Sequence, residues 1–95
     1  MRSYEVMFIA HPELDDVSLN ALLDKAKGWV TAAGGEVTQV DLWGRRRLAY
    51  TIRKQHEGQY ILMQTQMTPN ATRELERNLR LTEQVMRFQM IRTDD

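Results

Sequence analysis

The order of hydrophobic periodicities along the chain constrains its fold more than any other sequence feature. Apolar residues alternate, as they do in strands, over residues 4–10, 36–42, 48–52, 59–67 and 85–92. They recur every three or four residues, as in amphipathic helices, over residues 16–33 and 69–80. If the two middle stretches belong to one interrupted strand, the chain reads β-α-β-β-α-β.

Both helices carry sequence signals at their ends. Asp15 and Asp16 offer N-terminal caps to the first helix, and Gly34-Gly35 supplies the left-handed residue that ends it. Thr68-Pro69 gives the second helix a cap followed by proline at the first helical position. The residues that point inward are Leu19, Leu22, Leu23, Ala26, Val30 and Ala33 in the first helix and Ala71, Leu75 and Leu79 in the second.

The second strand and the turn after it are irregular. Gly44 within a strand pattern predicts a bulge or sharp bend at Trp43-Gly44, and side-chain parity cannot be carried across it. The polar cluster from Gln55 to Gly58 predicts a hairpin turn, followed by a strand from Gln59 to Met67.

These elements predict an α+β fold with a ferredoxin-like arrangement. Two helices on one face of a four-stranded antiparallel sheet are the simplest way to bury both helical stripes. Residues 1–95 form one domain, because a chain of 95 residues is too short for two cores. The strand residues expected to face the helices are Tyr4, Val6, Phe8, Ala10, Ile61, Met63, Thr65, Met67, Phe88 and Met90.

Charge is distributed unevenly although it sums to zero, with 13 basic and 13 acidic residues. Residues 1–44 carry a net charge of −4 and residues 45–95 a net charge of +4. In the second part nine of the ten basic residues are arginine, which can bind phosphate with two hydrogen bonds and stack on bases. An ordinary solvated surface is the alternative that composition leaves open.

Composition favours a reducing cytoplasm and offers few means for catalysis. The chain has no cysteine, its first residues do not begin a signal peptide, and no apolar run is long enough to span a membrane. His11 and His56 are expected in different loops, and Gly34-Gly35 follows a helix, so neither a metal site nor a phosphate-binding loop is predicted. We expect no catalytic residue, metal or cofactor.

The stretch from Trp43 to Tyr50 carries the strongest functional signal. Three consecutive arginines, Arg45, Arg46 and Arg47, follow the predicted bend and lie between two aromatic residues. Grouped positive charge beside aromatic rings suits single-stranded or junction RNA. Charges that protect a sheet edge from aggregation are the alternative.

The chain resembles a known family, and this stretch is the most distinctive part of the resemblance. Met1-Arg2-Ser3-Tyr4-Glu5, Trp43-Gly44-Arg45-Arg46, Leu48-Ala49-Tyr50, Tyr60-Ile61-Leu62-Met63, Leu79-Arg80, Val85 and Arg87 are similar, in order and approximate spacing, to the bacterial small-subunit ribosomal protein six family. The resemblance covers the whole chain. It implies a ferredoxin-like protein of the ribosome, acting in translation, that binds the central domain of the small-subunit ribosomal RNA together with small-subunit ribosomal protein eighteen.

The resemblance also implies which residues contact RNA or the partner protein: Arg2, Tyr4, Arg45, Arg46, Arg47, Arg80 and Arg87. Tyr4 shares parity with the expected core, so a structural role is its alternative. The chain departs from the family at Thr51, where proline is common, and it ends at Asp95 where many relatives carry a longer tail. Both departures bear on the hairpin and on docking of the partner.

The sheet face opposite the helices, called here the open face, is expected to be too apolar for bare solvent. Parity directs to it a patch that we assign to the partner protein: Met7, Ile9, Tyr60, Leu62 and Ile91. Scattered surface hydrophobic residues are the alternative. The outward residues of the third strand, Tyr60, Leu62, Gln64 and Gln66, lack the paired aromatics of an RNA recognition motif.

A rival function remains open at this stage. A ferredoxin-like regulatory domain that binds a small metabolite would self-associate into symmetric oligomers. The ribosomal interpretation instead predicts a monomer when isolated, with weak affinity for RNA until its partner is added. The native mass separates these two possibilities.

Overall fold

A computed structural model describes residues 1–94 and contains six regular elements. They are β1 (Arg2–Ala10), α1 (Asp16–Ala32), β2 (Glu36–Ile52), β3 (Gln55–Met67), α2 (Pro69–Leu81) and β4 (Val85–Arg92). The strands form one antiparallel sheet in the order β2-β3-β1-β4. The predicted element order and fold class are therefore confirmed.

The hydrophobic core lies between the two helices and the sheet face that the central strands turn toward them. Burial of a large apolar side chain contributes roughly 1.5–3 kcal/mol, which makes this layer the main source of stability. Its largest fully buried apolar side chains are Val6, Phe8, Ile61, Met63 and Met67 from the sheet and Val30, Leu75 and Leu79 from the helices. Phe88 and Met90 pack against this core while remaining partly exposed.

The helix ends follow the sequence signals. The Asp15 side chain accepts a hydrogen bond of 2.8 Å from the backbone N–H of Ser18, and the Thr68 hydroxyl accepts one of 3.2 Å from that of Ala71. Gly34, just beyond α1, has φ +85°, the left-handed conformation that glycine adopts without strain. Each cap satisfies a backbone donor that the helix itself leaves unpaired.

The hairpin between β2 and β3 differs from the prediction. Its two-residue turn is Arg53-Lys54, both with positive φ (50° and 64°), and β3 begins at Gln55 rather than at Gln59. Two residues with positive φ match the twist of the flanking strands, although no glycine or asparagine marks them here. Gly58 serves a close approach instead of a turn, because a Cβ atom there would overlap the side chain of Ile9.

Register shifts divide β2 at three places, the first of them between Val37 and Gln39. Leu42 pairs with Ile61 and Gly44 pairs with Tyr60, so Trp43 is an extra residue in a bulge, as predicted, and Gly44 has φ +80°. Further along, residues 48–51 have no pairing partner on β3 between the pairs Arg47–Glu57 and Ile52–Gln55. We call residues 48–51 the hairpin arm.

The hairpin arm lies over the open face. Its Tyr50 contacts Arg87 of β4, although β2 and β4 form opposite edges of the sheet. Its side chains also border a small open recess of about 100 Å³ beside Ile9 and Tyr60. The arm therefore covers part of the face that the helices leave open.

Candidate nucleic-acid interface

The three consecutive arginines have three different surroundings. The Arg45 guanidinium donates a hydrogen bond of 2.7 Å to the Pro12 carbonyl, and its Nε lies 3.9 Å from a carboxylate oxygen of Glu57. The Arg46 guanidinium lies over the Trp43 ring, 5.0 Å from its centroid. Arg47 is exposed and, within residues 1–94, makes neither a hydrogen bond through its side chain nor an ion pair. Arg45 thus also supports the fold.

Gln59 helps Arg45 to fix the loop after β1, and sequence reasoning missed it. Its side-chain amide is buried and donates to the carbonyl oxygens of His11, Pro12 and Leu14, at 3.2, 3.4 and 2.9 Å. No local pattern marks a buried glutamine, because its partners lie more than 40 residues away. Gln59 and Arg45, which pair with each other across β3 and β2, consequently hold this loop near the arginines.

Two aromatic rings meet on the open face beside Arg46. The rings of Trp43 and Tyr60 are 6.2 Å apart between centroids and nearly parallel, with an angle of 9°. The sequence indicated no aromatic pair, because Tyr60 is the one aromatic residue on the outward face of the third strand. Side-chain parity could not be carried across Gly44 to show that Trp43 lies beside it. The bulge brings Trp43 of β2 next to Tyr60 of β3, so the pair spans two strands.

The other predicted RNA-contacting residues do not join this cluster. Arg87 lies on the open face, with its guanidinium 5.3 Å from the Tyr50 ring centroid. Arg80 lies on α2, where it pairs with Glu76 at 2.6 Å and approaches the Phe88 ring to 5.8 Å. Arg2 lies at the far end of β1, opposite Met67. Only Arg46 and Arg87 of these residues share the open face.

Tyr4 packs against the hydrophobic core from β1 and is partly buried. Its side chain lies on the helix side of the sheet, with the same parity as Val6 and Phe8. This arrangement supports the structural alternative for Tyr4 that the sequence left open.

The apolar patch of the open face is only partly exposed. Ile9 and Leu62 are each 8% exposed, Met7 and Tyr60 are partly buried, and Ile91 is 49% exposed. A groove of about 560 Å³ runs between the hairpin arm and β4, lined among others by Met7, Ile9, Tyr50, Tyr60, Arg87 and Gln89. The accessible part of this patch is therefore Met7 of β1, Tyr60 of β3 and Ile91 of β4.

The two histidines lie apart in the structure. His11 follows β1, where its Nδ1 accepts a hydrogen bond of 3.2 Å from the backbone of Glu13, whereas His56 lies within β3 and not in a loop as expected. Within residues 1–94, no group of three or more histidine and acidic side chains is arranged to hold a metal ion. None of the described helices is long and apolar enough to span a membrane.

Comparison with known proteins relates the whole chain to one family. A family model described as ribosomal protein S6 matches residues 3–92. The small ribosomal subunit protein bS6 of Caldanaerobacter subterraneus subsp. tengcongensis is 45% identical over 95 residues, covering all of both chains. The bS6 protein of Clostridium novyi is 47% identical over 91 residues, or 96% of each chain. The crystal structure of 30S ribosomal protein S6 from Thermotoga maritima superposes with a TM-score of 0.92 at 30% identity, covering 97% of this chain and 87% of that one.

Proposed function

Because the chain belongs to the ribosomal protein S6 family, we propose that it binds small-subunit ribosomal RNA jointly with a second ribosomal protein. Family membership makes the chain a constituent of the small ribosomal subunit and not an enzyme. The proposed role is architectural: the protein holds the central domain of the RNA in one geometry by neutralising phosphates that otherwise repel one another. The proposed partner is small-subunit ribosomal protein eighteen.

The arginines at the β2–β3 end carry the RNA part of the proposal. Arg46 and Arg47 follow the bulge on one sheet edge, and Arg87 lies across the open face. None of the three makes an ion pair within residues 1–94, so their charges are available to phosphate. Each phosphate neutralised releases counterions and adds roughly 0.7–0.9 to the dependence of log affinity on log salt concentration.

The groove beside the hairpin arm supports the partner part of the proposal. It combines apolar side chains such as Met7 with the polar groups of Arg87 and Gln89. Ile91 adds a half-exposed apolar side chain on β4, at the neighbouring sheet edge. An apolar area with a polar rim is typical of a protein-binding surface. We assign the apolar side chains of β1 and β4 to the partner, and Arg46, Arg47 and Arg87 to RNA.

Binding to central-domain RNA, measured over a range of salt concentrations with and without protein eighteen, tests the proposal. Replacing Arg46 and Arg47 together by alanine should weaken binding and lower the salt slope by roughly 1.4–1.8, as for two lost phosphate contacts. The control is Arg73→Ala with Arg77→Ala, which removes the same charge from α2. Equal losses in both variants would contradict the assignment and indicate only a general effect of charge.

A further inference from the structure

We propose that Trp43, Tyr60 and Arg46 form a stacking site for one unpaired nucleobase of the bound RNA. The inference rests on the proposed RNA-binding function and adds to it a specific ligand chemistry, a planar base rather than a phosphate. It concerns the β2–β3 side of the open face, and Tyr60 is the residue that it shares with the groove assigned to the partner.

The backbone places Trp43 on the open face by a local device. Trp43 is the extra residue of the bulge, and the positive φ of Gly44 lets the strand resume its pairing at Tyr60. Bulges commonly redirect a side chain near functional sites. Trp43 is consequently 41% exposed on the open face, although the protein has a well-packed core on the opposite face of the sheet.

The ring orientations match what a base requires. Trp43 and Tyr60 are within 9° of parallel, and the Arg46 guanidinium lies over the indole, 5.0 Å from its centroid. Unpaired bases are bound on aromatic rings and on the planes of arginine guanidinium groups. The site therefore already holds planar groups in a stack. A base adds to this stack on the face of the indole that Arg46 covers.

Arg46 is a replaceable occupant of the indole surface. Its contact with Trp43 is an exposed cation–π interaction, which is weaker than the stacking of a base on an aromatic ring. A base that takes its place gains the stronger contact and frees the guanidinium. The freed Arg46, next to the exposed Arg47, can then bind the phosphates that flank the base.

Charge on the open face gives the bound RNA strand a direction. Acidic side chains lie farther along the face, at Asp41 of β2 and Glu5 of β1, opposite Leu62 and Gln64 of β3. A phosphate chain is repelled from that end and attracted to the end with Arg46 and Arg47. The backbone of the stacked nucleotide should therefore leave the site toward the hairpin turn.

Tryptophan fluorescence of the full chain tests the site directly. Trp29→Phe leaves Trp43 as the only tryptophan, since the chain has two. Oligoadenylate should quench its emission, whereas inorganic polyphosphate of matched charge, which has no bases, should bind without quenching it. Equal quenching by both polyanions would overturn the proposal, because it would reflect displacement of Arg46 by phosphate alone.

Affinity measurements give a second, independent test. Trp43→Leu should weaken oligoadenylate binding by about 5- to 150-fold, the range expected for one stacked base. Trp43→Phe should recover part of the loss because it restores a ring. Leu81→Ala, at an apolar residue of α2 that is 70% exposed, is the control and should change nothing.

The outcomes separate this inference from the proposed function. A fluorophore on the oligonucleotide reports affinity by anisotropy, because Trp43→Leu removes the intrinsic probe. If Trp43→Leu leaves affinity unchanged while alanine at Arg46 and Arg47 weakens it, the RNA-binding function stands and the stacking site is wrong. If protein eighteen without RNA quenches Trp43 and oligoadenylate does not, the ring is a protein contact and the inference is likewise wrong.

Discussion

Arg45, Arg46 and Arg47 are adjacent in the chain, but their guanidinium groups have different neighbours. Arg45 binds the Pro12 carbonyl, Arg46 lies over Trp43, and Arg47 has no side-chain partner within residues 1–94. The sequence predicted RNA contact for all three together, because spacing along the chain does not reveal which guanidinium binds another part of the same protein. At the residue scale, their substitutions should therefore have different effects.

We expect Arg45→Ala to lower the free energy of unfolding by about 1 kcal/mol, since it removes a partly buried hydrogen bond to a loop carbonyl. Arg47→Ala should change it by less than about 0.5 kcal/mol, as exposed substitutions usually do. Urea denaturation of both variants is the measurement. Equal effects on stability would show that the Arg45 contact does not support the loop in solution.

Asp15 makes the first turn of α1 sensitive to acid. The hydrogen bonds from Ser18 hold the pKa of this carboxyl below its ordinary value of 3.8. A lowered pKa stabilises the folded state at pH values above the ordinary pKa, and that stabilisation is lost as pH falls through the folded-state pKa. Asp15→Ala should consequently be less stable than the parent near neutral pH, and the difference should shrink below about pH 4.

Asp15→Asn is the matched control, because asparagine also caps helices but carries no charge. Thermal unfolding over the acidic to neutral pH range should show that the Asp15→Asn variant retains most of the cap while losing the pH dependence. A difference between Asp15→Ala and the parent that stays constant across this range would contradict the assignment.

At the scale of elements, both helices could be predicted because their signals are local. Asp15 and Thr68 cap backbone groups within three residues, and each inward stripe repeats within a single helix. The hairpin could not be predicted in full, because the Arg53-Lys54 turn carries no typical turn residue and Gly58 is required by a strand from another part of the chain. The Trp43–Tyr60 pair was missed for the same reason, since it depends on register between two strands.

The close approach of β3 to β1 predicts the effect of a methyl group at Gly58. Gly58→Ala should destabilise the protein by roughly 1–3 kcal/mol, because the new Cβ would overlap the Ile9 side chain. Ile9→Ala in the same chain should relieve that overlap, so the double variant should be more stable than the sum of the single effects implies. Strict additivity in a double-mutant cycle would indicate that Gly58 is needed for another reason.

At the scale of the whole molecule, the two oppositely charged parts of the chain are interleaved. β1, from the acidic part, lies between β3 and β4, which come from the basic part. The sheet therefore has no simple acidic and basic halves, and the net charge of each sequence segment does not describe a surface. Individual arginines on the open face should therefore contribute more to RNA binding than the net charge of residues 45–95, which first suggested that function.

The open face should determine which molecules the protein binds. We expect a monomer in native mass measurements of the isolated chain and a one-to-one complex once protein eighteen is added. Ile91→Asp should weaken that complex, because it puts a charge at a half-exposed apolar position on β4. Leu62 is a poorer choice for the test, since it is only 8% exposed and aspartate there would threaten the fold.

Val17→Asp is the control for Ile91→Asp, because Val17 is 79% exposed on α1, away from the open face. It should leave affinity for protein eighteen unchanged. Symmetric oligomers of the isolated chain would instead support a self-associating regulatory domain and contradict the docking assignment.

The hairpin arm has a consequence for proteases. Residues 48–51 lack pairing partners on β3, and Tyr50 is 60% exposed, so this segment can enter a protease active site with less unfolding than the paired parts of β2 require. Chymotrypsin should first cleave after Tyr50, and Arg87→Ala, which removes the contact from β4, should accelerate that cleavage. A partner seated beside the arm should slow it. The rate at which the two fragments appear on a gel would then report, without any label, whether the open face is occupied.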